Sequence, residues 1–330
     1  MAFKGSAARA KEKVVLPKIG EYQLVTPFCS VESGFARWAF AQRDGRDGEE
    51  CFIKEFLSPV CPRPSSGIPA EMIARKRKTC EKFYQKKRKV YQAVNQSATG
   101  NIVKIDGFFF HDTKYYIVTQ KIDRVNLEMK QIAEKDLKTK LVLLKVLAYS
   151  LTSLHKHGVV HADLKPNNIL IKETGGGVDT GKSLTAKLID FDSSFLEGER
   201  EEDDDIEGDV VYLAPETWLL ADGDDVKLST KVDVFALGLL FHQYYTGELP
   251  RFGSEYAYAH EAVLDNRGLF LDTSIPATLK ELIGSMLQRD PALRPTMQEV
   301  FNVLSGKKDE PVVRPEPPKE DFVWKKPTGF

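Results

Sequence analysis

The stretch Gly175–Ser183 reads GGGVDTGKS, and from Gly176 it carries the spacing G-x-x-x-x-G-K-S. Residues of this kind can cradle phosphate groups on backbone N–H groups and a lysine. That chemistry needs a strand before the loop and a helix that starts at the lysine, because the first N–H groups of the helix hold the anion. The preceding NILIKE (Asn168–Glu173) reads as a strand. The following SLTAKLIDF (Ser183–Phe191) alternates apolar and polar residues and reaches Asp190 and Asp192 almost at once, which is the pattern of a second strand. Two strands around a glycine-rich turn make a hairpin, so Lys182 is expected to be a surface lysine and the match a coincidence. Metal chemistry has little support. His155, His157 and His161 cluster without a cysteine or a third-ligand pattern, and His155 and His157 read as ordinary helix-end residues. The four cysteines, Cys29, Cys51, Cys61 and Cys80, are separated by 22, 10 and 19 positions, which fits no zinc motif. They are expected to be free thiols in a reducing cytoplasm.

The elements that must position any site fall into two groups. From Glu21 to Lys54 come β-favouring runs, YQLV, FARWAFAQ and CFIKEF, with the turn DGRDG between the last two. A Pro/Ser-rich loop follows at Ser58–Pro69, then a basic helical stretch from Glu71 to Asn95 whose apolar face would be Phe83, Val90, Tyr91 and Val94. IVKIDGFFF and KYYIVTQ predict two more strands, joined by a turn at Asp112–Thr113. Beyond them the text turns helical. KTKLVLLKVLAYSLTSLHKHG is apolar at helical spacing and stops at Gly158, and VDVFALGLLFHQYYTG stops at Gly247. TLKELIGSMLQRD and TMQEVFNVL close the folded part. A strand-rich first third before a helix-rich remainder predicts two lobes with a cleft between them.

The chain has 330 residues, 42% hydrophobic and 29% charged, with a net charge of −1. Such a composition describes a soluble globular protein with a sizeable core, and the balance does not advertise a nucleic-acid partner. No apolar run follows the basic residues at the N-terminus, and no segment approaches membrane-spanning length. The expectations are a cytoplasmic location and no membrane contact.

HADLKPNNIL (His161–Leu170) is where chemistry concentrates. It resembles the catalytic loop H-R-D-L-x-x-x-x-N of the eukaryotic-like protein kinase family, in its serine/threonine branch. The family's other landmarks follow in order: DFD at 190–192 for D-F-G, YLAPE at 212–216, DVFALG at 233–238 and RDPALRPT at 289–296. CFIK at 51–54 resembles V-A-I-K. The resemblance covers roughly residues 21–305. It implies an α+β, bilobal kinase fold: a flexible extension (1–19), a small β-rich N-lobe (20–122), a helical C-lobe (123–305) and a Pro- and charge-rich tail (306–330). It also implies transfer of the γ-phosphoryl group of ATP, with Mg²⁺ or alternatively Mn²⁺, to serine or threonine hydroxyls on proteins. Asp163 would orient the hydroxyl, Lys165 would meet the γ-phosphoryl, and Asn168 and Asp190 would hold the metal. Lys54 and the loop at Gly34 would hold phosphates. Thr119 would be the gatekeeper, with Gln120, Ile122 and Leu170 meeting the adenine. Asp233 would brace the catalytic loop and Arg294 would pair with Glu216. His161 would be structural.

Departures from the pattern are equally specific. Val31, Ser33 and Ala36 stand where the lid has glycines, leaving only Gly34, and Phe52 replaces the small residue that roofs the base. Asp192 replaces the glycine of D-F-G, Ala162 replaces the arginine of H-R-D, and Asp209 stands at the threonine of G-T-x-x-Y. Lys87 falls where a helix glutamate should meet Lys54, and Glu81 lies on another face. Ser193–Val211 carries nine acids and one base, Arg75–Lys89 nine bases and one acid. Each run is either a solvated face or one half of a docking pair in which the acidic loop replaces a regulatory phosphate; nucleic-acid binding by the helix is the weaker reading, for want of an aromatic platform. The alternative to an active enzyme is a pseudokinase or scaffold acting through protein contacts, with the tail a further place for a protein partner. A small-molecule kinase is disfavoured by YLAPE, which shapes a peptide-docking segment.

Overall fold

A computed structural model describes residues 16–30, 36–45, 48–63, 67–125, 127–175, 183–199 and 208–307 of the 330. The chain forms two compact units that divide between Gln96 and Ser97, Ile102 and Val103, and Asp123 and Arg124. Gly34, the acidic stretch 200–207, Lys182 and the tail from 308 onward lie outside the described residues.

The first unit is a twisted antiparallel sheet of β1 (Lys18–Ile19), β2 (Tyr22–Leu24), β3 (Cys29–Ser30), β4 (Ala36–Arg43), β5 (Glu50–Phe56), β6 (Ile105–His111) and β7 (Lys114–Gln120). The order is β1-β2-β4-β5-β7-β6, with β3 also paired to β4. Period-two alternation decides the two faces. One face buries Ala39, Ala41, Ile53 and Val118 against Tyr22 and Leu24. The same alternation sends Trp38, Phe40, Phe52, Lys54, Ile117 and Thr119 to the opposite face. Helix α1 (Ala70–Gln96) buries Cys80, Val90, Tyr91 and Val94, with Phe83 half-buried; the Phe56 ring meets Phe83 and Phe108 edge-on, and Phe108 stacks on Tyr115. Asn95 fixes the end of α1 to β6: its Nδ2 donates to the Ile105 carbonyl (2.9 Å) and its Oδ1 accepts from the Ile105 N–H (2.8 Å), as a backbone pair would.

The second unit is mainly helical. Its elements are α2 (Met129–Ala133), α3 (Leu137–Lys156), β8 (Val159–Val160), β9 (Ile169–Thr174), β10 (Ser183–Leu188), β11 (Phe195–Leu196), α4 (Pro215–Ala221), α5 (Lys231–Thr246), α6 (Ala259–Leu264), α7 (Ala277–Met286) and α8 (Met297–Leu304). Helix α5 is apolar around nearly its whole circumference and is buried from Val232 to His242, as a central core helix must be. It ends at Gly247, whose φ of +87° closes the helix with an N–H donated to the Gln243 carbonyl (2.8 Å). Asp136 caps α3 by accepting from the Thr139 N–H (2.9 Å). β9 and β10 pair antiparallel with Thr174 opposite Ser183. Ser183 therefore begins a strand, not a helix, and the phosphate-loop reading of Gly176–Ser183 is excluded. Among the described residues no helix is long and apolar enough to cross a membrane.

Candidate active site

The candidate site residues of the second unit are assembled by side chain to backbone hydrogen bonds. Asp233, in the first turn of α5, is 1% exposed and accepts from the N–H groups of His161 (Oδ2, 2.9 Å) and Ala162 (Oδ1, 2.9 Å). A buried carboxylate that accepts from two backbone donors is a strong anchor. It holds Ala162 at φ +65°, a left-handed conformation that costs a non-glycine residue roughly 1–3 kcal/mol. His155 Nε2 also lies 2.9 Å from Asp233 Oδ2. His155 is therefore a third support of the anchor and not the ordinary helix-end residue that its place in the sequence suggests. His157 does behave as a helix-end residue, its Nδ1 meeting the Ser153 carbonyl at 2.9 Å.

His161 is fully buried. Its Nδ1 accepts from the Asp163 N–H (3.4 Å), so Nε2 carries the proton and donates to the Ile189 carbonyl (3.2 Å). Its ring packs on Phe191 at 5.0 Å, and its carbonyl accepts from Ser194 Oγ (3.0 Å). One histidine thus joins the catalytic loop to the residues on either side of Asp190. Asp190 itself has φ +62°, the second strained backbone of the site.

Asp163, Lys165 and Asn168 come together. The turn Pro166–Asn168 directs Asn168 back so that its Nδ2 donates to the Asp163 carbonyl (2.8 Å) and to Asp163 Oδ2 (2.8 Å). Lys165 Nζ is 3.0 Å from the same Oδ2. Oδ1 accepts from the backbone N–H of Asp209 (3.0 Å), a contact between residues 46 positions apart that nothing in the local sequence announces. Leu170 is half-buried on β9. Further along, Arg294 forms a bidentate pair with Glu216 (2.6 and 2.8 Å), both buried. Its remaining donors reach the carbonyls of Gln288, Arg289 and Lys231, so the pair is satisfied on all sides, as a buried charge requires.

In the first unit Lys54 is 7% exposed and sits on β5 opposite Ile117 and Trp38. Thr119 is half-buried at the end of β7, Gln120 exposed, and Ile122 half-buried just beyond. Phe52 does not stand alone on the Lys54 face. It stacks on Trp38 (5.5 Å, 23° between planes), and Phe40 meets both edge-on at 6.4 and 5.4 Å. Sequence reasoning did not single out Trp38 on this face; its strand position opposite Lys54 was the available signal. Glu55 was missed as well. Burial alone would raise the pKa of its carboxyl, but hydrogen bonds from Arg37 (2.8 Å), Lys114 (2.6 Å) and the Tyr116 hydroxyl (2.7 Å) outweigh it and lower the pKa. Lys87 places its ammonium over the Phe83 ring at 5.9 Å.

The protein kinase domain family matches residues 69–303 of the chain. The match begins just before α1 and leaves β1–β5 outside it. The chain is similar to a calcium and calcium/calmodulin-dependent serine/threonine-protein kinase of Pisum sativum, 29% identical over 174 residues, 52% of this chain and 30% of the relative. It is also similar to the serine/threonine-protein kinase RUNKEL of Arabidopsis thaliana (29% over 233 residues, 67% and 16%) and to sperm motility kinase Z of Mus musculus (26% over 252 residues, 74% and 46%). The chain spans less than half the length of these relatives. An α+β fold with a β-rich and a helical unit, the braced loop around Asp163 and a match over more than half of the chain place it in one family: the chain belongs to the protein kinases.

Proposed function

We propose that the chain transfers the γ-phosphoryl group of ATP to serine or threonine hydroxyls of proteins. The observation that carries the reading is the environment of Asp163: both carboxylate oxygens are positioned by fixed donors, and the adjacent Lys165 supplies a cation. In this reading Asp163 orients and accepts the proton of the acceptor hydroxyl, and Lys165 offsets charge on the transferring group. Lys54 meets the phosphates, and Thr119, Gln120, Ile122 and Leu170 the base. Asn168 uses its amide nitrogen on Asp163, so its amide oxygen is the atom it offers a cation. That oxygen and the carboxylate of Asp190 are hard donors, few in number, and fit Mg²⁺, which keeps water and phosphate oxygens for its other positions. When bound, the metal neutralises charge on the phosphates.

A second reading, a scaffold with little or no nucleotide affinity, is favoured by one observation, the stacked Trp38 and Phe52 on the Lys54 face. The test is transfer of labelled γ-phosphate, with Mg²⁺ and Mn²⁺ in turn, to the chain itself and to a generic basic protein. Label that disappears in Asp163→Ala supports the enzyme; absence of label in both proteins supports the scaffold.

A further inference from the structure

We infer that Asp209 is a specificity-determining residue of the acceptor site, and that it selects protein substrates with a cationic side chain beside the acceptor hydroxyl. The inference rests on the phosphotransfer reading only in taking Asp163 as the place where the hydroxyl is held.

Three contacts fix Asp209 against the catalytic residues. Its N–H donates to Asp163 Oδ1 (3.0 Å). Its own Oδ1 accepts from the Val211 N–H (3.1 Å), capping the turn at Val210–Tyr212. Its Oδ2 lies 3.9 Å from Lys165 Nζ. Gly208 before it has φ +138°, and a Cβ there would sit 3.0 Å from the Ala162 carbonyl oxygen, a tight contact. The backbone conformation and the close approach to the Ala162 loop together favour glycine here.

The charge balance at this point is uneven. Lys165 serves two carboxylates and is closer to Asp163 (3.0 Å) than to Asp209 (3.9 Å). Among the described residues, one ammonium between these two carboxylates leaves one negative charge over. Among the described residues, the cavity that adjoins the site is lined by three carboxylates, those of Asp163, Asp209 and Asp233, and by no lysine or arginine. Asp233 spends its charge on two backbone N–H groups and His155; the Asp209 carboxylate accepts one backbone N–H, from Val211, and shares Lys165 at a longer distance. Ala162, on the cavity wall, brings no cation. The Asp209 carboxylate is 35% exposed, enough to meet an incoming side chain and not enough to be fully screened by water. An acceptor segment laid along this wall completes the balance if it carries lysine or arginine next to the hydroxyl, and meets like-charge repulsion if it carries glutamate or aspartate.

The test compares two fluorescent peptides, identical but for lysines or glutamates flanking one serine, by anisotropy without nucleotide and by phosphate transfer with it. The wild-type chain is expected to bind the lysine peptide about tenfold more tightly, with the gap shrinking as salt is raised. Asp209→Asn retains the backbone donor and the capping oxygen and removes only the charge; the preference should fall below about threefold. Asp209→Ser, which also keeps a capping oxygen, serves if the first variant fails a thermal scan. A preference unchanged in these variants, or insensitive to salt in the wild type, overturns the inference. Preserved binding selectivity with no transfer to either peptide refutes the phosphotransfer reading and leaves the assignment of Asp209 standing.

Discussion

His260 of α6 makes the stability of the second unit depend on pH. The side chain is fully buried, and neither ring nitrogen has a hydrogen-bond partner. Its imidazole lies between the rings of Trp218 (5.0 Å) and Tyr258 (5.5 Å, 7° between planes). Burial pushes its pKa down to about 4, with the neighbouring Glu261 pulling weakly the other way. In the unfolded chain the ring titrates near 6.5. Between those values the unfolded chain binds a proton that the folded chain refuses, so stability is full above pH 6.5 and is lost as pH falls toward 4. A gap from 6.5 to about 4 is worth about 3.4 kcal/mol when fully expressed. Between pH 7.5 and pH 5 the share already lost is about 2 kcal/mol.

His260→Leu removes the titration at nearly constant volume. At pH 7.5 the change should be small, because relief of unpaired buried polar atoms, about 1–3 kcal/mol, opposes the loss of ring contacts, about 0.5–1.5 kcal/mol. Urea unfolding of both proteins at pH 7.5, 6 and 5 gives the comparison. His242 is also buried, its pKa lowered by desolvation, and it titrates with the same sign, but it is present in both proteins and cancels. The wild type is expected to lose about 2 kcal/mol more than the variant over this range. Parallel declines would refute the reasoning, since they mean that His260 is either solvated or hydrogen-bonded in solution.

The Arg294–Glu216 pair should behave as a buried pair does: Arg294→Leu alone strands the Glu216 carboxylate and costs about 3–5 kcal/mol in urea unfolding, whereas Arg294→Leu with Glu216→Leu recovers a large part of the loss. A single variant as stable as the wild type would show that the pair is hydrated. Among the thiols, burial pushes Cys80 up to about 11, whereas Cys29 is exposed, so iodoacetamide at pH 8 should modify Cys29 first and Cys80 last, as read by peptide mass spectrometry. Equal rates would mean that α1 opens at Cys80.

Much of this architecture was legible because it is local. Apolar spacing predicts α1, α3 and α5 within a residue or two at most ends, and alternation across Ser183–Phe191 was enough to reject a phosphate loop. The loop around Asp163 was legible because His161, Asp163, Lys165 and Asn168 all fall within one short stretch, His161–Asn168. Contacts across long separations were legible only where the family's spacing supplied them, as for Glu216 with Arg294 and for Asp233 with the loop backbone. His155 shows the limit. Helical periodicity says that it ends α3, but not that the last turn faces Asp233, 78 residues later. Glu55 shows another: its partners come from β4 and β7, and only the strand register brings Arg37, Lys114 and Tyr116 to one carboxylate.

The same distinction separates the two halves of the proposed chemistry. The loop around Asp163 is held by side chains bonding to backbone groups within the second unit, through Asp233, His161 and Asn168. None of those bonds depends on the size of a residue in the sheet. The Lys54 face, by contrast, is built from side chains of the sheet strands β4, β5 and β7. A phenyl ring at 52 alone would be a half-exposed apolar group; with Trp38 and Phe40 it becomes a three-ring cluster whose contacts are worth about 0.5–1.5 kcal/mol per pair. The three rings pack on one another, so the sheet stays filled on the face that would meet the nucleotide in the proposed function. In the proposed function, nucleotide binding and the geometry of the loop around Asp163 would therefore rest on separate sets of contacts, so a mutation in one should leave the other in place.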